Sequence, residues 1–253
     1  MQFDINAISD TGLVRKNNED RLLIQSMIFN DTSYQLSFEA KDSALFAVAD
    51  GMGGQNAGEV AAEMTLESLS EFIIELSRNP IEIDIKSSFT SWVKKMHSTL
   101  LRIGLQDSEK RGMGTTLTGL LFLKEKFYWF NAGDSRLYRL RNGILKQIST
   151  DHSLAQAIGN NNVPSNIIVN SIGGGQNVFI DVEDITPMVF DNDLYFLCSD
   201  GITDMIGDDI IEKYLNSLDL SGMVNAAKQN GGKDNISALS VLVLASPIQG
   251  FKA

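Results

Sequence analysis

Apolar positions in the first fifty residues recur with the period of strands. Phe3 and Ile5 alternate with Asp4 and Asn6 and predict a half-buried strand over 3–8. The apolar runs RLLIQSMI (21–28) and SALFAVA (43–49) predict two more, separated by a polar loop. From Ala57 the period changes. Val60, Ala61, Met64, Leu69, Phe72, Ile73 and Leu76 fall at three- and four-residue spacings, which predicts an amphipathic helix that Asn79-Pro80 ends. A second helix carries Phe89, Trp92, Val93, Met96, Leu100 and Ile103 on one face and stops near Gly104. The strand signal then returns in TTLTGLLFL (115–123), FYWFNA (127–132), RLYRL (136–140) and ILKQIS (144–149). Asn142-Gly143 between the last two is the dipeptide preferred by a two-residue hairpin. DLYFLCS (193–199) and ISALSVLVLA (236–245) read as buried strands, and 208–229 as helical.

Tight hairpins without regular strand–helix alternation predict an α+β fold of antiparallel sheets with segregated helices. No internal repeat, low-complexity tract or linker divides the 253 residues, so the expectation is one domain over 1–253. Its most loop-like stretch is GNNNVPSNIIVNSIGGGQN, 159–177.

Composition narrows the function. A formal net charge of -11 argues against duplex nucleic acid or an anionic membrane as the main partner. The single cysteine excludes an intrachain disulfide and fits a reducing compartment. There is no leader-like N-terminus and no apolar run approaching ~18 residues, so a soluble cytoplasmic protein is expected. Glu59, Glu63, Glu67, Glu71 and Glu75, each four apart on the first helix, read as a solvated face.

The candidate chemistry lies in acids beside glycine or asparagine at strand ends: NNED (Glu19, Asp20), ADGMGG (Asp50), NAGDSR (Asp134), CSDG (Asp200) and GGKDN (Asp234). One Asp-Gly alone is more often a turn. Five such segments, four of them beside strongly apolar runs, suggest clustered carboxylates whose repulsion a divalent cation would remove. Oxygen-only ligands point to Mg²⁺ or Mn²⁺. With only His97, His152 and Cys198 available, a His- or Cys-rich zinc site cannot be assembled. Two such ions can activate water and clamp phosphoryl oxygens, and Arg15 could bind a phosphate dianion. The residues alone therefore reach a metal-dependent hydrolase, with phosphate esters as candidate substrates.

Read in order, the segments resemble the metal-dependent Ser/Thr protein phosphatases (the PPM or protein phosphatase 2C-like family), in their bacterial form. The matching stretches are SDTGLVRKNNED (9–20), ALFAVADGMGG (44–54), GMGTTLTGLLF (112–122), NAGDSRLYRLRNG (131–143), STDHSL (149–154), LYFLCSDGITD (194–204) and GGKDNISALSVLVL (231–244). The resemblance implies two packed antiparallel sheets flanked by helices on both sides, an α-β-β-α sandwich, with a dinuclear Mn²⁺/Mg²⁺ centre at one edge. It implies that Asp50 bridges the two metals and that the Gly51 carbonyl helps hold one. Asp200 and Asp234 would complete one site, and Asp20 and Glu19 the other, Glu19 mostly through water. Asp134, with Asp200, matches a third, weaker metal position, and Arg15 would bind the substrate phosphate. Thr115, Thr116, Asn235 and Ser237 look like packing residues or supports of the ligands.

The implied reaction is hydrolysis of phosphoserine or phosphothreonine in proteins by metal-activated water, without a phosphoenzyme. The implied partners are phosphoprotein targets of a Ser/Thr kinase, and the chain is expected to be a monomer. Two rival readings are a phosphatase-like binding or regulatory module, disfavoured because Asp20, Asp50, Asp200 and Asp234 are all present, and a hydrolase of small phosphoesters. The chain departs from the bacterial pattern at Gln55, where relatives commonly carry histidine. Glutamine cannot donate a proton at neutral pH, so Gln55 and His152 are the positions that bear on the proton relay. A short flap-like insertion over about 153–175 also departs from the family. Cys198, Trp92 and Trp129 read as core residues and His97 as a surface or boundary residue. No arginine follows Cys198 to make a cysteine phosphatase loop.

Overall fold

Strand β1 (Gln2–Asp10) alternates as its sequence predicts, with Phe3, Ile5 and Ala7 buried and Gln2, Asp4 and Asn6 partly open. The computed structural model describes residues 1–53, 57–78, 84–159 and 167–244. After β1 come β2 (Arg21–Ile24), β3 (Met27–Phe29), β4 (Ser33–Glu39), β5 (Ser43–Ala49) and the short β6 (Gly51–Met52). Helices α1 (Ala57–Arg78) and α2 (Ile85–Gln106) follow, and then β7 (Gly114–Thr115), β8 (Leu117–Leu123), β9 (Lys126–Ala132), β10 (Arg136–Arg141) and β11 (Ile144–Gln147). The remainder is α3 (Leu154–Ile158), β12 (Asp181–Asp184), β13 (Leu194–Cys198), α4 (Asp200–Thr203), α5 (Asp208–Asn216), α6 (Leu220–Gln229) and β14 (Ile236–Leu244).

Two six-stranded antiparallel sheets form, in the orders β11-β10-β13-β14-β1-β4 and β12-β9-β8-β5-β2-β3. Strand β5 shows why they stack. Its Ala44, Phe46 and Val48 enter the core between the sheets with Phe3, Leu120 and Leu239. Its Leu45, Ala47 and Ala49 face α1 and α2 through Leu66, Leu69 and Phe89. A strand buried on both faces must be apolar throughout, and SALFAVA is. On the far side, α4, α5 and α6 cover β13 and β14 through Ile202, Ile211, Met223 and Phe196. The layering is therefore α-β-β-α, as the resemblance implies.

Several local expectations need correction. RLLIQSMI is a hairpin: Gln25 takes φ 60 and separates β2 from β3. The polar loop before residue 43 contains β4, whose Leu36 and Phe38 pack on the inter-sheet core while its other residues are exposed. As an edge strand it buries one side only, which leaves the apolar signal thin. Strand β12, DVED, pairs with β9 although its sequence is acidic. Two helices share 208–229, broken by Ser217–Asp219. Asn142 and Gly143 both take positive φ, 51 and 81, as the predicted hairpin turn requires. Cys198, Trp92 and Trp129 are buried as expected, and burial pushes the Cys198 thiol well up. His97 is also buried, contrary to expectation. Its Nδ1 accepts from the Gly173 amide at 3.0 Å and ties the loop after α3 to α2. Burial lowers its pKa.

Candidate metal centre

Sheet register carries the acids to one place. Arg21 pairs with Ala49, so Asp20 and Asp50 emerge side by side from β2 and β5. Val48 pairs with Thr118, and continuing that register puts Asp50 beside Thr116. The Asp50 N–H donates to Thr116 Oγ1 (3.0 Å), while the Thr115 hydroxyl and the Thr116 N–H donate to the Asp50 carbonyl (both 2.9 Å). Strand β9 ends at the same edge and delivers Asp134. Strands β13 and β14, paired Cys198 to Ala238, deliver Asp200 and Asp234 from the other sheet. Five aspartates from opposite ends of the sequence thus meet at one edge of the sandwich.

Their supports fix them further. The Ser199 hydroxyl donates to Asp20 Oδ2 at 2.7 Å and accepts from the Ser237 N–H at 3.0 Å. Asn235 Oδ1 accepts from the Glu19 N–H at 2.8 Å. Gly51 lies so close to α1 that a Cβ on it would stand 2.3 Å from the Gly58 carbonyl oxygen and 2.6 Å from that of Glu19. A Cβ on Gly58 would in turn lie 2.8 Å from Glu19 Oε2. No side chain fits at either position, which explains the first glycine of DGMGG and reveals Gly58, which the sequence reading passed over. Ser199 was also missed, although it stands inside the quoted CSDG.

The electrostatics show what the cluster lacks. Burial is the first cause and mutual repulsion adds to it: Asp20, against the lowering effect of its hydrogen bond from Ser199, and Asp134 are pushed up to about 7 and Asp200 to about 6. Asp50 is raised well above the usual carboxylate range by burial and by Asp20, Asp200, Asp234 and Asp134. Burial raises Glu19 as well. Among the described residues, Asp200 Oδ1 is buried with no hydrogen-bond partner. Exposed Asp204, not singled out from the sequence, adds to the repulsion on both Asp134 and Asp200. Among the described residues, no three acids already close on one point as a ready cage. Asp234 is turned to Arg15 Nη2 at 2.6 Å, and Asp20 to Ser199. Crowded oxygen donors, an orphaned carboxylate oxygen and raised pKa values together fit hard divalent cations.

Arg15 is exposed and reaches into the cluster, and among the described residues its one hydrogen-bond partner is Asp234, which leaves other guanidinium donors for an anion. His152 lies next to the Asp134 turn, but both ring nitrogens are engaged. Nδ1 accepts from the Gly133 N–H (3.2 Å) and the Asn170 side-chain amide (2.7 Å), so Nε2 carries the proton and donates to Asp181 (3.1 Å). Phe179 covers the ring at 4.4 Å. This histidine holds the Gly133 turn. Gln55 lies outside the described residues, as do 160–166 of the flap-like insertion.

Fold and acidic edge are those of a metal-dependent hydrolase, with the exposed Arg15 beside the acids. Residues 23–237 match the family described as Protein phosphatase 2C. The chain belongs to that family, the metal-dependent Ser/Thr protein phosphatases. It is 30% identical over 249 residues to "Serine/threonine phosphatase stp" of Listeria monocytogenes, with 92% of this chain and 93% of that protein covered. Its fold is similar to that of the Mycobacterium tuberculosis serine/threonine phosphatase PstP/Ppp (TM-score 0.76, 26% identity, 97% of this chain and 100% of that one). It is also similar to the catalytic domain of PstP in complex with two manganese ions (TM-score 0.73, 28% identity, 96% and 100% covered).

Proposed function

We propose that the chain hydrolyses phosphoserine and phosphothreonine in proteins at a dinuclear Mn²⁺ or Mg²⁺ centre, with no phosphoenzyme. The meeting of five aspartates at one sheet edge beside Arg15 is the observation that carries this reading. Asp50 and the Gly51 carbonyl would hold the ions together with Asp200 and Asp234 from one sheet and Asp20 and Glu19 from the other, and Asp134 with Asp200 would offer a weaker third position. When bound, the ions supply Lewis-acid charge that activates water and offsets charge on the phosphoryl oxygens. Arg15 orients the phosphate through its planar fork. Family membership is what supports phosphoproteins made by a Ser/Thr kinase as the substrates, and the single cysteine suits the cytoplasm. Among the described residues no helix is long and apolar enough to cross a membrane.

Both nitrogens of His152 are occupied and Gln55 cannot donate a proton, so water protonates the leaving alkoxide. Purified protein with Mn²⁺ should release phosphate from a phosphothreonine peptide, and a chelator should stop it. Turnover that survives chelation, or fast hydrolysis of p-nitrophenyl phosphate with none of the peptide, would sink the proposal. Gln55→His is expected to change peptide turnover by less than about tenfold, against the 10²–10⁴-fold typical of a required general acid. A larger gain, confined to poor leaving groups, would contradict the water route.

Ser199 gives a further check. Its one proton is committed to Asp20 because its oxygen already accepts from Ser237. Ser199→Ala should weaken Mn²⁺ binding by about 10–100-fold with the fold intact. Titration calorimetry reads this directly, and unchanged affinity would remove Ser199 from the support of the centre.

A further inference from the structure

A groove of about 660 Å³ lies between α1 and α2. It runs along α1 away from the acidic edge: from Gly58, where α1 touches Gly51, the helix rises about 9 Å to Met64 at the near end of the groove and about 20 Å to Glu71. The floor is apolar. Phe72 and Trp92 stack at 5.7 Å with an interplanar angle of 12°. Met64 and Met96 extend the floor, and the Trp92 indole N–H is satisfied by Ser68 at 3.1 Å. Phe72 and Met64 remain half-buried, so the groove presents apolar surface to solvent.

The walls differ in charge. The α1 wall carries Glu71 and Glu75, with Glu67 one turn before them. The α2 wall presents hydroxyl side chains and Lys95. The glutamate stripe divides into two parts. Glu59 and Glu63 lie 3.7 and 3.3 Å from Arg21, which offsets their repulsion. Glu67, Glu71 and Glu75 are exposed, sit four residues apart, and have no ion pair among the described residues. Repulsion at that spacing costs a few tenths of a kcal/mol per pair. The unmatched half of the stripe is the half that borders the apolar floor.

We propose that this groove docks a basic amphipathic helix of a protein partner, with apolar anchors on Phe72 and Trp92 and Lys or Arg side chains against Glu67, Glu71 and Glu75. A helix laid into a two-helix groove buries an apolar stripe of its own and pairs its flanks with the rims. Lys95 on the opposite wall makes the two flanks unequal and selects one orientation of the incoming helix. Acidic or nucleic-acid ligands meet the glutamates and are repelled. The proposal concerns binding alone and stands whether or not the phosphatase reading does.

The test uses the full chain and a fluorescein-labelled helical peptide of leucine, tryptophan and lysine, apolar at i, i+3, i+4 and i+7, read by fluorescence polarisation. Saturable binding is expected. The triple variant Glu67→Gln/Glu71→Gln/Glu75→Gln should weaken it about tenfold or more, and Phe72→Ala should weaken it as well. The control Glu39→Gln/Glu109→Gln/Glu125→Gln makes the same change in net charge at exposed positions elsewhere and should shift affinity less than about twofold. Both triple variants and Phe72→Ala should keep the parent's far-UV circular dichroism and a cooperative melt, which shows that they fold and keeps this outcome separate from that of the catalytic proposal. Absence of saturable binding, equal loss in the two triple variants, or equal binding of a peptide with glutamate in place of lysine would overturn the proposal.

Discussion

Asp50→Asn protein is expected to fold, to lose phosphothreonine hydrolysis by about 10³-fold or more, and to melt higher than the parent when both are free of metal. The two effects have one origin. Asp50 sits among Asp20, Asp134, Asp200 and Asp234, and burial plus their charges hold its carboxyl well above the ordinary range. Removing its charge relieves that repulsion, and each ~1 kcal/mol gained raises the melting temperature of a chain this size by about 2–4 °C. The same change removes the proposed bridge between the ions, on which activation of water depends. Stability gained where activity is lost is the mark of a strained functional site. Melting curves in chelator, paired with rates in Mn²⁺, check both halves. A variant that stays active, or that melts lower without metal, would show that Asp50 is not the focus of the repulsion.

Mn²⁺ should stabilise the protein strongly above pH 7 and little at pH 5. Asp20 and Asp134, near 7, and Asp200, near 6, stay protonated in the folded metal-free protein where the unfolded chain has released those protons. Their contribution to stability is fully present below the unfolded value near 4 and is lost as pH rises through 6 to 7. The metal-free melting temperature should therefore fall between pH 5 and 7.5. Cations compete with protons for the same oxygens, so the gain on adding Mn²⁺ should grow over that window. A difference between the two pH values of about 5 °C or more is expected, read by thermal melts with chelator or with saturating Mn²⁺. A gain independent of pH would mean that the cation binds outside this cluster.

The parts of the molecule legible in the sequence are those in which one physical requirement dominates. Strand β5 is buried on both faces and therefore apolar throughout. Helix α1 packs one face on a sheet, so its period shows. Asp50 and Asp200 follow apolar strands directly and stand beside glycine, which marks them as presented groups. What a linear reading of single elements lacks is register. Asp20 and Asp50 are neighbours because Arg21 pairs with Ala49, a relation between positions far apart in the chain. Strand β4 escaped because an edge strand buries only Leu36 and Phe38. His97 was misread because its burial depends on the loop around Gly173, which crosses back over α2. The role of Ser199 depends on Ser237 and Asp20, which lie on other elements.

The central claim is that these acids form one two-metal centre. Titration calorimetry of Mn²⁺ into chelator-treated, dialysed protein at pH 7.5 tests it most directly. The account predicts two tightly bound ions per chain with net proton release, and loss of both from Asp50→Asn protein. Binding of a single ion, or of two that Asp50→Asn leaves undisturbed, would contradict it.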